Sequence, residues 1–245
     1  MIGALLCLVA IAAAELITAL VSPVGGTAFY AVLLFLLVLA SSHAKPPYHK
    51  LYLSLALVPL IRIVSLSMPS FELSQTYWYL VVSLPLFVAI LVVVRILLLR
   101  PSDVGLSVRR LPAQGLIALV GVGLGWVEYQ ILEPASLVSK ADLLEVVPVS
   151  IVLLASTGFL EELAFRGVMQ RCAEESLGEW GWLYVAGVSS TLYIGYLSPA
   201  QWLFVLGVGL LFGWVVKKTG SLVGVTLAHG IANICLYIVL PLVVT

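Results

Sequence analysis

Residues 147–166 read VPVSIVLLASTGFLEELAFR, an apolar run long enough to cross a bilayer that ends in Glu161, Glu162 and Arg166. Each carboxylate placed near hydrocarbon costs about 2.5–3.5 kcal/mol even on lenient insertion scales. A chain this apolar keeps such a pair where it does work, and that makes the cluster the first functional signal. The second is His229-x-x-x-Asn233, in another apolar run downstream.

The composition around these segments settles the class. Of 245 residues, 62% are hydrophobic and 10% charged, with a mean hydropathy of +1.17. Soluble domains carry about 25% charged residues. The apolar runs are continuous rather than alternating, which excludes a transmembrane β-barrel. The expected fold is an all-α, polytopic transmembrane helix bundle of eight or nine spans. A net charge of zero gives no case for nucleic acid. Cys7, Cys172 and Cys235 are scattered, with no metal-ligand spacing and no disulfide framework. The first apolar run lacks a basic flank and is long enough to span, so it reads as a membrane helix rather than a signal peptide.

Nine apolar segments are expected, at approximately 2–21, 27–42, 51–68, 77–98, 112–132, 147–165, 181–197, 201–216 and 221–243. Ser22-Pro23 and Gly25-Gly26 are expected to end the first, Pro46-Pro47 to separate the second and third, and Thr219-Gly220-Ser221 the last two, with Ser221 as an N-cap. Segment 201–216 is short, which leaves a tilted or partly re-entrant helix open. No internal repeat is evident, so a duplicated transporter design gets no support.

Orientation follows from lysine and arginine. Lys45, Lys50, Arg95, Arg100, Arg109, Arg110, Arg166, Arg171, Lys217 and Lys218 fall on alternate connections, so ten of the twelve basic residues share one side. The positive-inside rule makes that side cytoplasmic, with the N-terminus inside. The expected location is the cytoplasmic membrane of a prokaryote. Segment 166–180 mixes charge with Val168, Met169, Cys172 and Leu177 and is expected to be a cytoplasmic or interfacial extension.

Neighbours on a helix point about 100° apart, so Glu161 and Glu162 face different ways. Glu162 and Arg166 are i and i+4 and can pair. Glu161 is then left without a local partner, available as a general base for water. A structural Glu–Arg clamp at a membrane boundary fits the same residues. His229 and Asn233 share one face, among Ala228, Gly230 and Ala232, which let another helix approach closely. Histidine can ligate a metal or polarise a carbonyl, and asparagine can donate to an oxyanion. The pair fits interhelical hydrogen bonding equally. His229 lies eight residues after Ser221, about 12 Å along its helix, and Glu161 sits near the same end of its own. The shared depth favours one site. Glu15, Arg62 and Glu128 are lone intramembrane charges that can pair across the bundle. Tyr77-Trp78-Tyr79 reads as an interfacial aromatic belt. His-Glu-x-x-His, Gly-x-Ser-Gly, Gly-x-Gly-Asp, P-loop and dinucleotide signatures are absent.

These residues resemble the CPBP group of intramembrane metalloproteases (CAAX- and bacteriocin-processing), which includes Rce1-type prenyl-protein endopeptidases and bacterial Abi proteins. Glu161, Glu162 and Arg166 match the EExxxR motif, and His229 and Asn233 match HxxxN. Lys218-Thr219-Gly220-Ser221-Leu222 looks like the usual lead-in. The resemblance covers roughly 147–240. It implies an Rce1-like core at 147–243, preceded by about five helices in 1–146.

The family's middle motif, FxxxH, is incomplete here. After Ser189-Ser190, Tyr193 takes the aromatic place and Leu197 stands where the histidine belongs. Tyr196, Ser198 and Gln201 are poor zinc ligands. The resemblance implies a membrane endopeptidase acting near the cytoplasmic face on a membrane-associated protein or peptide, with that peptide arriving from the cytoplasmic side. Glu161 would activate water, Glu162 and Arg166 would hold the helix end, His229 would be ligand or electrophile, and Asn233 the oxyanion donor. A divalent metal such as zinc would sit on Glu161 and His229. The alternative is a catalytically silent relative that binds a partner in the same cavity, as scaffold or regulator, because of Leu197. A small transporter using the buried charges as a relay is a third reading.

Overall fold

The computed structural model describes residues 1–68, 74–108, 111–192, 194 and 198–244, and every described element is helical. Arg109, Arg110, Tyr193, Tyr196 and Leu197, all used above, lie outside the described residues.

The N-terminal half holds α1 (Ile2–Leu20), α2 (Pro23–His43), α3 (Tyr48–Leu55), α4 (Leu57–Ser67), α5 (Gln75–Ile96) and α6 (Leu111–Leu132). Helices α3 and α4 form one apolar run broken at Ala56. Pro59 has no N–H to return to the preceding turn, so the hydrogen-bond ladder lapses there. Ser22-Pro23 starts α2 instead of ending α1. The Ser22 hydroxyl accepts from Gly25 N (3.3 Å) and Pro23 occupies the first helical position. Gly25 and Gly26 therefore lie inside α2. Gly26 packs against the Thr18 side chain of α1, where a Cβ would collide.

The C-terminal half begins with a long, irregular helix: α7 (Leu143–Leu153), a π segment (Leu154–Phe159), α8 (Leu160–Glu162), a second π segment (Leu163–Met169) and α9 (Gln170–Leu177). A 3₁₀ turn over Gly178–Trp180 leads to α10 (Gly181–Thr191). Then come α11 (Pro199–Thr219), α12 (Val223–Ile234), a third π segment (Cys235–Val239) and α13 (Leu240–Val244).

Among the described residues, eight helical runs are long and apolar enough to cross a membrane, and this is a multi-pass membrane protein. One of them, Leu143–Thr191, has 49 residues. At 1.5 Å per residue it would stretch about 74 Å, more than twice the hydrocarbon thickness of roughly 30 Å. It reverses at Gly178, whose φ of +61° suits a residue without a Cβ. Gly181 then lies against the backbone of Ala173 and Glu174. The reversal separates the 147–165 and 181–197 segments expected from the sequence. Helix α11 runs the full 21 residues, and a capping box between Ser198 and Gln201 starts it. It is longer than the segment read from the sequence. Gly220, at φ +66°, ends it. The N-cap of α12 is Leu222, one residue past the expected Ser221, although the Ser221 hydroxyl still accepts from Val223 N (3.3 Å).

Helices α6 and α12 run parallel in direct backbone contact. Gly121 faces the Ala228 carbonyl, and Gly125 faces Ala232 and the Cβ of Cys235. A Gly-x-x-x-Gly stripe on α6 thus meets the small residues beside His229, as membrane helices do when backbones pack closely. On another side of α12, Gly158 abuts Gly230 N. Segment 166–177 packs against the chain's own helices and the connection before α3. Val168, Met169 and Cys172 are fully buried, while Lys50 pairs with Glu175 (2.9 Å) and Ser176 donates to the Pro47 carbonyl (3.3 Å).

Candidate active site

The two π segments bracket Glu161 and Glu162. A π turn adds a residue to the helical circuit and is enriched at functional sites. Here it widens the face turned inward, so that Ser156, Thr157, Leu160, Glu161, Glu162 and Phe165 all line one cavity of about 460 Å³. Helix α12 brings His229 and Asn233 to the same cavity. All five site residues expected from the sequence therefore meet, though not in the arrangement expected.

Glu162, fully buried, is the hub. Its Oε1 accepts from Arg166 Nη1 (3.2 Å), the expected i to i+4 pair. The same oxygen meets His229 Nδ1 at 2.9 Å. A carboxylate only accepts, so this contact places the proton on Nδ1 and leaves Nε2 for the cavity. The carboxylate partner of His229 is thus Glu162, where the sequence reading had grouped His229 with Glu161. Glu162 Oε2 is buried with no hydrogen-bond partner among the described residues. Arg166 lies 5.8 Å from the Phe165 ring and 5.9 Å from the Phe212 ring. The Phe212 ring is 6.2 Å from that of His229. Stacked between aromatic faces, the guanidinium is held in place while charged.

Glu161 lines the cavity beside this hub and makes no hydrogen bond or ion pair among the described residues. Asn233 is already engaged. Its Nδ2 donates to Thr157 Oγ1 at 2.7 Å, and Thr157 donates to the Leu153 carbonyl at 2.5 Å. One amide hydrogen of Asn233 remains for a ligand.

Sequence reasoning missed three participants. Glu128 lines the cavity from α6 instead of pairing with Glu15 or Arg62. Phe212 lies against both Arg166 and His229, and Thr157 fixes Asn233. Spacing from Gly121 and Gly125 along α6 carries the signal for Glu128, since residues three and four apart share a face. Trp78 and Tyr79, read as an aromatic belt, also line the cavity. Glu15 and Arg62 do pair across the bundle, at 2.5 Å.

Residues 143–235 match the family model described as Type II CAAX prenyl endopeptidase Rce1-like. This stretch is an Rce1-like domain. No curated protein and no solved structure matches the chain. The Rce1-like domain starts at the first residue of α7 and takes in every candidate site residue except Glu128.

Family members are commonly described as metal-dependent, and the donor set of this domain can be tested against that. Catalytic zinc takes three protein ligands and a water. Glu161 and His229 supply two. Among the described residues no three of His, Cys, Asp and Glu come together to hold a metal ion. The described part of the Rce1-like domain does not provide the expected metal site.

Proposed function

We propose that the chain is a membrane-embedded endopeptidase, with residues 147–243 as its catalytic-type core and 1–146 as the helical scaffold around it. The supporting observation is the convergence of EExxxR and HxxxN: Glu162 bonds both Arg166 and His229 while Glu161, in the same cavity, is unpaired among the described residues.

In this reading Glu161 takes a proton from water as the water oxygen adds to the peptide carbonyl carbon. The carbonyl π electrons move to its oxygen. His229, held by Glu162 through Nδ1–H, donates from Nε2 to that oxygen when the ring is protonated. The free amide hydrogen of Asn233 is a second donor. Collapse of the adduct breaks the C–N bond, and the leaving nitrogen takes the proton back from Glu161. Glu162 and Arg166 are positioning residues, neutralising one another and fixing the imidazole.

Mapping of new peptide ends by mass spectrometry tests this, in cells carrying wild type, Glu161→Gln or His229→Ala. Ends made by wild type and missing from both variants are expected. Identical ends in all three would sink the reading and favour a silent relative, for which the lack of a third ligand among the described residues argues. Zinc dialysis of the purified chain adds a check without substrate. No stoichiometric zinc is expected to stay bound, and one zinc lost on His229→Ala would show that a metal site exists after all.

A further inference from the structure

We propose that Glu128 is a specificity residue of the cavity and holds a lysine or arginine side chain of the substrate, about three residues from the bond that is cleaved. This deepens the endopeptidase reading and rests on it for the position of that bond; binding of the cation is tested apart from any cleavage.

The charges of the cavity carry the argument. Arg62, Glu128, Glu161, Glu162, Arg166 and His229 line it. Arg62 is bound to Glu15 (2.9 Å), and Glu162 takes both Arg166 (3.2 Å) and His229 (2.9 Å). Glu128 and Glu161 are left, with no hydrogen bond or ion pair among the described residues. Even with His229 as imidazolium, its charge offsets Glu161 alone, and Glu128 has no counterpart. Residues 69–73, 193 and 195–197, outside the described set, contain no lysine, arginine or histidine. The other basic residues outside it, Arg109 and Arg110, come before α6, and Glu128 stands near the far end of that helix. A carboxylate set among apolar walls costs free energy unless a cation meets it, so the cation is left to the ligand. Glu162 Oε2, buried with no hydrogen-bond partner among the described residues, is a further unmet acceptor lining the same cavity.

Position narrows the assignment. On α6 the lining runs through Leu124, Glu128, Ile131 and Leu132, three or four residues at a step. Glu128, half-buried, is the single charge on that aliphatic wall. Gly121 meets Ala228 and Gly125 meets Ala232 across to α12. That register sets Glu128 level with Cys235, six residues past His229 and about 9 Å along the axis. An extended peptide rises about 3.3 Å per residue, so a chain whose carbonyl lies at His229 brings its third residue or so to Glu128. Tyr237, two residues past Cys235, also lines the cavity, and aromatic faces favour a cation alongside. Glu128 precedes the 143–235 match, so this preference comes from a helix outside the Rce1-like domain and is a property of this chain.

Photocrosslinking of model peptides to the full chain in liposomes tests this. The probes are extended leucine–alanine peptides that carry a benzophenone and one central lysine, glutamine or glutamate. The background is Glu161→Gln, so that every peptide stays whole. With Glu128 present, the lysine peptide is expected to saturate crosslinking at a concentration at least about tenfold lower than the glutamine peptide, as a close charge pair in a dry site allows. Glu128→Gln, which removes the charge and no bond, should abolish that difference. Glu128→Asp should keep most of it, and Glu128→Lys should shift the preference to glutamate. The same lysine preference with and without Glu128, no preference in its presence, or no crosslinking of any peptide would overturn the proposal. A chain that makes no new ends in cells yet prefers lysine through Glu128 would lose the endopeptidase reading and keep this site.

Discussion

Glu15 and Glu162 are both fully buried carboxylates facing an arginine, yet the two regions they organise differ in what is left over. Around Glu15 both carboxylate oxygens are engaged. Its Oε1 meets Tyr30 Oη and Arg62 Nε, each at 2.5 Å, and its Oε2 meets Arg62 Nη2 at 2.9 Å. Around Glu162 one oxygen carries both contacts, the other has none, and Glu161 alongside is unpaired among the described residues. The Glu15 cluster ties α1, α2 and α4 together and leaves neither carboxylate oxygen without a contact. An unsaturated one, held rigid by aromatic faces and π segments, keeps its free valences for a ligand. Residue type alone does not separate the two uses; the count of satisfied atoms does.

The comparison breaks most easily at Glu15. Its removal strands a buried arginine, so Glu15→Ala is expected to cost about 3–5 kcal/mol of stability, with cleavage per folded molecule unchanged. The double replacement Glu15→Leu with Arg62→Met should recover most of that loss. Thermal unfolding in detergent reads both. A single variant as stable as wild type would show that the cluster is not structural.

A smaller effect is expected where α6 meets α12. A Cβ at Gly121 would strike the Ala228 carbonyl, one residue before His229, whereas one at Gly123 meets nothing within 4 Å. Gly121→Ala should cost about 1–3 kcal/mol and lower cleavage by displacing α12, while Gly123→Ala should be silent in both. Equal behaviour of the two would contradict the close backbone packing that positions His229. Smallest in stability is Asn233→Ala, which removes one intramembrane hydrogen bond, worth about 0.6–1.7 kcal/mol. Its cleavage loss should be larger, about 10²–10³-fold if the amide donates to an oxyanion. Thr157→Val, which removes the same bond from the other side, should match its stability but retain more activity. Matching losses of activity would reduce Asn233 to a helix tie.

Much of this was legible in the sequence. Continuous apolar runs reported the helices to within a few residues. The motifs named all five residues that meet in the cavity, because i to i+4 spacing survives in any helical context. The identity of the carboxylate that holds His229 was not legible. Glu161 and Glu162 are chemically identical neighbours, and the two π segments shift the helical phase so that a 100° rule cannot say which one faces α12. Ser22-Pro23 read as a stop because proline punctuates both helix ends; only the Ser22 hydroxyl bond to Gly25 N shows it to be a start. Glu128 looked like a lone charge because the other ionisable groups of the cavity, such as Glu161 and His229, are more than thirty residues away in the chain.

The most direct measurement sets melting temperature beside cleavage for Glu161→Gln in the full chain, using whichever substrate the mapping of ends yields. Glu161 makes no hydrogen bond or ion pair among the described residues, so the melting temperature should stay at the wild-type value. Cleavage should fall by about 10²–10⁴-fold, the share that a general base contributes. A variant that still cleaves would contradict the central claim. A variant that also unfolds would place Glu161 with Glu15, as one more structural charge.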